Sequence, residues 1–323
     1  MLNAVLWFCI GLLCLVKGGD WFVDGAVGIA RRFRLPDLLI GATVVSVGTT
    51  LPEVMISASS ALGGHGEIAY GNAIGSIICN AALVAAVTIA VRPGKADAAA
   101  LRLPAGFFFA AAAFYAAVAY TTGFFSRWAG VVLLGLFAAY MAAQILSARR
   151  TPAPAPEAEQ PAEAPAGPLA LELVRLALSA ALIALGADLM VDNGVLIAAG
   201  LGVPESVIAL TVVALGTSLP ELVTAITSLA KGHGALSLGN VIGANLFNLV
   251  LVNGVSALLA PFGIPAGSVL AGHSASLVLD LPAAFLVMVL LVAPPLCKGR
   301  LYRWQGVTLL GIYAAYCAVQ FML

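Results

Sequence analysis

Apolar residues run along this chain in long blocks, and charged residues interrupt them mainly at their ends. A helix that crosses a bilayer needs about 20 consecutive apolar residues, and ten blocks come close to or exceed that length. We therefore predict an all-α polytopic membrane protein with ten transmembrane helices. The predicted spans are 2–30, 37–62, 67–91, 103–121, 127–148, 168–199, 205–230, 235–260, 274–293 and 303–322.

Composition agrees with the pattern. Of the 323 residues, 62% are hydrophobic and 9% are charged, whereas a soluble domain carries about 25% charged residues. The formal net charge is zero, which argues against nucleic acid as a partner. The expected surroundings are the lipid bilayer, and no obligatory protein partner is predicted.

A segment rich in proline, alanine and glutamate divides the spans five and five. It covers 151–167 and is typical of an extended, solvated linker, so the predicted repeats are 1–150 and 168–323. Thirteen of the fifteen lysines and arginines fall at one set of alternating span ends. By the positive-inside rule that side and the linker are cytoplasmic, and both termini lie outside. We expect a multi-pass protein of the cell (inner) membrane.

The two halves are related by an internal repeat. Shifting the sequence by 168 residues aligns 41–80 with 209–248 without a gap, and 17 of the 40 positions are identical. Because each half holds five spans, the second half must be inserted upside down relative to the first. Inverted repeats are typical of secondary transporters. A duplication kept only for packing would not retain an acid and amides at matched positions.

The second span carries the motif GTTLPE at 48–53. Pro52 cannot donate to the carbonyl of Gly48, and its ring is expected to open the preceding turn. Freed carbonyls in a membrane need another partner, and a cation can serve. Thr49 and Thr50 precede Glu53 by four and three residues, so both hydroxyls share its helical face. The seventh span repeats this pattern with Thr217, Ser218, Pro220 and Glu221.

The third and eighth spans each carry a polar stripe. Asn72, Ser76 and Asn80 recur every four residues, and Asn240 and Asn248 repeat the register, with Ala244 in place of the serine. If the stripes face inward, they form an oxygen-only cavity with the two glutamates. Asn80 and Asn248 are favoured as ligands. Asn72 and its repeat mate could equally form interhelical hydrogen bonds.

Such a cavity offers only hard oxygen ligands, which suit Ca²⁺ or Na⁺ rather than zinc or copper. Glu53 and Glu221 together carry a charge of −2, which one Ca²⁺ neutralises. When Ca²⁺ leaves, the carboxylates must take Na⁺ or protons, because bare charges are costly in a low-dielectric site. This requirement is a physical basis for antiport. No cofactor is needed, since Ca²⁺ and Na⁺ are themselves the transported ions.

At these motifs the chain resembles the cation/Ca²⁺ antiporter superfamily, and specifically the compact prokaryotic Na⁺/Ca²⁺ exchangers. The family's paired motifs are matched by GTTLPE with GNAIGSIICN and by GTSLPE with GNVIGANLFN. The resemblance covers essentially the whole chain. It implies that the second, third, seventh and eighth helices form the ion core. It also implies that the first and sixth helices slide past that core, and that Na⁺ influx drives Ca²⁺ out.

The resemblance also implies ligand roles. Glu53 and Glu221 correspond to the central Ca²⁺ and Na⁺ ligands, with Thr50 and Ser218 at the hydroxyl positions one turn before them. The flanking Na⁺ sites would be formed by Thr49, Thr217 and the main chain near Ser46 and Ala214. The opposite wall would be lined by Ser76, Asn80 and Asn248.

Two departures from the family pattern change the expectation. Ala244 removes a hydroxyl that many relatives keep, so one Na⁺ site is weaker or is completed by water. Asn248 is neutral where K⁺-dependent relatives are acidic, which argues against K⁺ co-transport.

Other readings remain open from the sequence. A Ca²⁺/H⁺ antiporter could use the same two glutamates, although relatives of that kind place an acid shortly after the Gly-Asn pair and 73–80 and 241–248 contain none. A passive cation channel fits paired broken helices less well. An enzyme is not expected, because the motifs contain no catalytic constellation. Outside the motifs, a local Lys17–Asp20 ion pair is expected to explain the charges of the first span.

Overall fold

The computed structural model describes residues 2–33, 35–150, 168–201, 216, 218–265, 269–270 and 272–322. Within them the chain is predominantly helical. The α-helices are α1 (Leu2–Phe33), α2 (Asp37–Ile40), α3 (Ser46–Leu62), α4 (Gly66–Cys79), α5 (Ala86–Val91), α6 (Ala98–Thr122), α7 (Arg127–Arg150), α8 (Leu169–Gly200), α9 (Leu219–Ala230), α10 (Gly234–Phe247), α11 (Asn253–Leu259), α12 (Leu281–Lys298) and α13 (Arg303–Gln320).

In the part of the chain that the structure describes, wider π-helical turns join some of these helices, and four short strands lie in the connections. The π-segments are π1 (Gly41–Val45), π2 (Asn80–Ala85), π3 (Asn248–Val252) and π4 (Ser276–Asp280). The strands are β1 (Phe124–Phe125), β2 (Phe262–Gly263), β3 (Val269–Leu270) and β4 (His273–Ser274), paired antiparallel as β1–β2 and β3–β4. The all-α prediction did not include these two-residue strands.

Eight helical stretches in the described residues are long and apolar enough to cross a membrane, so the chain is a multi-pass membrane protein. They agree with eight of the ten predicted spans within a few residues. The predicted seventh span is described only in part, with α9 as its second half. The predicted tenth span is helical as α13, but Arg303, Gln305 and Gln320 make it more polar than the eight. The predicted linker, 151–167, lies outside the described residues.

The chain forms two compact units, each built from both halves of the sequence. Unit 1 consists of Met1–Thr49 and Ile145–Asn240, and unit 2 of Thr50–Gln144 and Val241–Leu323. The division of the chain into two five-helix repeats is a matter of sequence and stays a prediction.

In unit 1, α1 and α8 pack along most of their length. Gly11 meets Gly186 so closely that a Cβ on either residue would lie 2.8 Å from the other's carbonyl oxygen. Further along α1, Gly18 lies against Ile183 and Gly25 against Leu176. Because the partner numbers fall as the α1 numbers rise, the two helices are antiparallel. The core of this unit includes Phe22, Val23, Ile40, Ile183 and Leu236.

A second close approach in unit 1 lies beside the predicted ligands. A Cβ on Gly41 in π1 would clash with the Leu236 carbonyl oxygen, and one on Gly239 would clash with that of Leu38. Side chains are absent at both positions, so the backbone of π1 can approach α10. This brings Ser46 within reach of Asn240, as described below.

Unit 2 contains most of α3 and α7, all of α4 to α6, the second half of α10 and the helices that follow it. Buried aromatic rings pack together where α6 and α11 end. Tyr115 stacks on Phe125 with ring centroids 4.2 Å apart, and Phe125 lies 5.4 Å from Phe262. Since Phe125 and Phe262 are also paired as β1 and β2, the short ribbon fixes the connection after α6 to the one after α11.

The glycine contact between α1 and α8 gives a test of the packing. An alanine that replaces a helical glycine normally stabilises the folded protein by about 0.5–1 kcal/mol. Gly28→Ala should have this effect, because no described atom from another part of the structure lies within 4 Å of the new Cβ. Gly11→Ala should instead destabilise by roughly 1–3 kcal/mol, because the new methyl group meets a backbone carbonyl. Thermal melts of both variants in detergent measure this, and equal melting temperatures would refute the contact.

Candidate functional site

Two predicted ligands of unit 1, Ser46 and Thr49, are held by a hydrogen-bond network around Asn240. The hydroxyl of Ser46 lies 2.7 Å from the Gly41 carbonyl oxygen and 3.0 Å from that of Asn240. Thr49 donates to Oδ1 of Asn240 at 3.2 Å. On its other side the Asn240 amide donates to the Thr224 hydroxyl at 3.0 Å. The Asn240 side chain is therefore satisfied by protein partners and acts as an interhelical bridge.

The other predicted ligands in this unit lie where α9 begins. Ser218 occupies the N-cap position and Glu221 the first turn, with Pro220 beside it. Proline suits a helix start because its missing N–H would be unpaired there in any case. The same end of a helix favours a negative charge, so the backbone supports an ionised Glu221.

Neither Ser218 nor Glu221 completes its hydrogen bonds. The serine hydroxyl and both carboxylate oxygens of Glu221 are buried and have no hydrogen-bond partner among the described residues. The Thr49 hydroxyl lies near the carboxylate and interacts with it, but its hydrogen bond goes to Asn240. A buried carboxylate left in this condition needs a partner beyond those that the described residues provide.

In unit 2, Thr50 and Glu53 lie one turn apart on α3, and both are completely buried. The Thr50 hydroxyl has no hydrogen-bond partner in the described part of the chain. Asn72 on α4 donates to the Ser57 hydroxyl at 2.9 Å and lies 3.4 Å from the Glu53 carbonyl oxygen. Asn72 thus joins α4 to α3, as Asn240 does for the helices of unit 1.

The expected opening of the helix at Pro52 was wrong. α3 runs from Ser46 to Leu62 with Pro52 inside it, and the irregular turn is π1, which ends just before Ser46. A single proline removes one backbone hydrogen bond, and membrane helices tolerate that loss. In the second copy the described helix begins at Leu219. The two copies of the motif therefore differ in local structure.

Asn80 and Asn248 occupy matching places in unit 2. Each is the first residue of a π-segment, π2 and π3 respectively. Both side chains are completely buried, and neither amide group has a hydrogen-bond partner among the described residues. Ser76 lies one turn before Asn80 and is also buried. Single π-helical turns are frequent at functional sites, and here they coincide with amides that lack partners.

Thr217 and Ala214, the remaining two predicted ligands, lie outside the described residues.

Two asparagines that the sequence analysis did not single out belong to the surroundings of Asn248. Asn253 donates to the Asn248 carbonyl oxygen at 2.9 Å and accepts from the Tyr115 hydroxyl at 3.2 Å. Asn245 donates to the sulfur of Met288 at 3.0 Å. Both are completely buried. The available signal was a polar residue inside an apolar span. Asn245 and Asn253 were not predicted as functional because the first repeat has no asparagine at the matching positions.

The expected Lys17–Asp20 pair was also wrong. Asp20 pairs with Lys231, which follows α9, at 2.7 Å, and Lys231 also reaches Asp24 at 2.6 Å. Partial burial lowers the pKa of Lys231, but the two carboxylates outweigh that effect and raise it above its ordinary value. A charged Lys231 thus links α1 to the end of α9, a contact between residues too distant in sequence for a local pattern to indicate.

The chemistry of each unit follows from its unpaired atoms. Polar atoms without hydrogen-bond partners in the described residues are buried at Ser218 and Glu221 in unit 1 and at Thr50, Asn80 and Asn248 in unit 2, and all five were predicted ligands. No group of three His, Cys, Asp or Glu side chains that could hold a metal ion occurs in the part of the chain described. Each unit thus offers one buried carboxylate together with hydroxyl, amide or main-chain oxygens, which is a donor set typical of Ca²⁺ and Na⁺ rather than of transition metals.

Comparison with known proteins agrees with this chemistry. The profile of the family described as sodium/calcium exchanger protein matches residues 3–146 and 171–322. Both copies of the motif fall inside the matched regions.

Individual relatives match over most of their length. The chain is 29% identical to the sodium/calcium exchanger MaX1 of Methanosarcina acetivorans, covering 97% of each protein. It is 33% identical to the inner membrane protein YrbG of Escherichia coli, covering 81% of each. Among solved structures, the sodium–calcium exchanger NCX_Mj from a crystal soaked with Na⁺ and Ca²⁺ matches with a TM-score of 0.81, 30% identity and 98% coverage of both chains.

The contrast between satisfied and unsatisfied asparagines yields a stability test. Asn240→Ala breaks three buried side-chain hydrogen bonds, with Ser46, Thr49 and Thr224. It should therefore destabilise the protein by about 1–3 kcal/mol beyond the cost of the cavity. Asn248→Ala removes the same atoms but no side-chain hydrogen bond, so it serves as the matched control. We expect the lower melting temperature for Asn240→Ala in detergent containing a Ca²⁺ chelator and no Na⁺. The reverse order would contradict the hydrogen-bond assignment.

Proposed function

Because the chain belongs to the sodium/calcium exchanger family, we propose that it exchanges Na⁺ for Ca²⁺ across the membrane by alternating access. Membership makes it a cation/Ca²⁺ antiporter, which is a transporter and not an enzyme. Na⁺ and Ca²⁺ are the transported substrates of the family, and no cofactor takes part. The proposal adds the direction of coupling, in which Na⁺ influx drives Ca²⁺ extrusion.

The observation that carries the proposal is the buried carboxylate of Glu221. It lies in the first turn of a helix, where a negative charge is favoured, yet its oxygens have no hydrogen-bond partner among the described residues. A carboxylate in this position needs a cation. It must exchange one cation for another rather than remain bare, and that exchange is antiport.

We propose the following ligands. Glu53 and Glu221 are the central ligands of Ca²⁺ and Na⁺, supported by their complete burial and their matched positions in the repeat. Thr50, Ser218, Asn80 and Asn248 add oxygens, supported by their unpaired polar atoms. The remaining ligands rest on the sequence and, where described, on burial, and they are Thr49, Thr217, Ser76 and the main chain near Ser46 and Ala214.

The proposed architecture is ten helices in two inverted repeats. The eight described spans and the partly described seventh span fit it. The antiparallel packing of α1 against α8 also supports inversion, because these are the first helices of the two sequence halves. We further propose a location in the cell (inner) membrane, in line with the name of the relative YrbG, with both termini outside as the positive-inside rule predicts.

The test is uptake of radioactive Ca²⁺ into proteoliposomes preloaded with Na⁺. Wild-type protein should take up Ca²⁺ only when Na⁺ is inside, whether or not K⁺ is present. Glu53→Gln and Glu221→Gln should each reduce uptake to background. Each variant leaves only one negative charge, which is too little to neutralise the two positive charges of Ca²⁺. Glu67→Gln is the matched control, since Glu67 is an exposed acid on α4, and it should transport like wild type.

A second arm of the experiment distinguishes Na⁺-coupled from proton-coupled Ca²⁺ uptake. Vesicles with an acidic interior and no Na⁺ should show no Ca²⁺ uptake. Uptake driven by that proton gradient would replace the Na⁺ proposal with a Ca²⁺/H⁺ antiporter. Stimulation by K⁺ would contradict the inference drawn from the neutral Asn248.

A further inference from the structure

A crevice of about 210 Å³ opens within unit 2, between α4, α6 and α12. We call it the α6 crevice, and its walls include Ile74, Ile77, Phe108, Ala112, Tyr115 and Leu249. None of these residues is among the proposed ion ligands. The walls are almost entirely hydrocarbon and aromatic.

The polar atoms at the crevice already have partners. The Tyr115 hydroxyl donates to Asn253, and the Tyr120 hydroxyl donates to the Leu277 carbonyl oxygen at 2.6 Å. The other side chains that line it carry no polar group. A polar ligand would gain no free side-chain hydrogen bond here, so the occupant must be apolar.

The crevice lies among helices of membrane-spanning stretches. α4, α6 and α12 all belong to stretches long and apolar enough to span a bilayer, and Tyr120 and Phe285 at the rim are 56% and 50% exposed. The surroundings at that depth are acyl chains. The volume is below the roughly 300–1,000 Å³ of pockets that enclose a whole small molecule, which suits part of a single chain.

From these observations we propose that the α6 crevice binds one acyl chain of a bilayer phospholipid. The acyl chain would contact the same helices that carry the ion ligands, at neighbouring residues. Ile77 follows Ser76 directly, and Leu249 follows Asn248, so the crevice wall and the ligands share the same helical turns.

A hydrogen-bonded relay connects the crevice to Asn248. Tyr115 contributes its ring to the wall and its hydroxyl to Asn253, and Asn253 donates to the Asn248 carbonyl oxygen. The position of Tyr115 therefore affects the backbone of π3. This part of the inference rests on the proposed function, in which Asn248 is an ion ligand, and it predicts that the bound chain sets the rate or affinity of exchange.

Binding is tested with phosphatidylcholine that carries a diazirine in the middle of its acyl chain. After irradiation of the reconstituted full-length protein, mass spectrometry should find adducts on the lining residues of α6. Ala112→Phe fills the crevice and should reduce those adducts several-fold. Ala113→Phe places the same bulk on an exposed neighbouring position and should leave them unchanged. Ala116→Leu replaces Ala112→Phe if that variant does not fold.

Equal labelling in the Ala112 and Ala113 variants would overturn the acyl-chain site. Labelling needs no transport, so this result is distinct from a failure of the proposed exchange activity, which would appear as absent uptake in wild type.

The coupling is tested by Na⁺-dependent Ca²⁺ uptake in the same vesicles. Tyr115→Phe keeps the ring in the wall but breaks the relay, so it should retain the adducts while changing the KM for Ca²⁺. Ala112→Phe should also alter uptake, and Ala113→Phe should not. If Ala112→Phe loses its adducts while both it and Tyr115→Phe exchange like wild type, the link between crevice and Asn248 is wrong.

Discussion

The structure depends on one constraint, which is that a buried oxygen needs a partner. In the described residues Glu221, Asn80 and Asn248 bury polar atoms that no side chain or backbone group satisfies. Leaving such groups unpaired costs about 1–3 kcal/mol each and more for a charge. Their repeated occurrence at matched positions is therefore a functional feature rather than a packing fault. We propose that cations of the kind transported by the family provide the missing partners.

The local backbone structure around these atoms fixes where they lie. A helix start favours the charge of Glu221, and two π-segments begin at Asn80 and Asn248. Asn72 and Asn240, by contrast, are used as bridges between helices. The same residue type thus has two roles. Its hydrogen-bond partners, rather than its identity, distinguish an amide that holds the scaffold from one available to an ion.

The sequence was sufficient for eight of the ten predicted membrane spans and for the burial of the predicted ligands that the structure describes, because both follow from apolar run length and from the repeat. It was insufficient for local geometry. Pro52 lies inside an unbroken helix, since one lost hydrogen bond does not end a membrane helix. The partner of Asp20 is Lys231, a distant residue that no local pattern could indicate. The pattern of apolar and polar residues also did not predict the π-segments.

The central claim is that the buried oxygens bind Ca²⁺ and Na⁺ in competition. Isothermal titration calorimetry of the purified protein in Na⁺-free detergent tests it most directly. The account predicts saturable Ca²⁺ binding that rising Na⁺ weakens, that K⁺ leaves unchanged and that Glu221→Gln abolishes. Ca²⁺ binding that persists in Glu221→Gln, or that Na⁺ does not weaken, would contradict it.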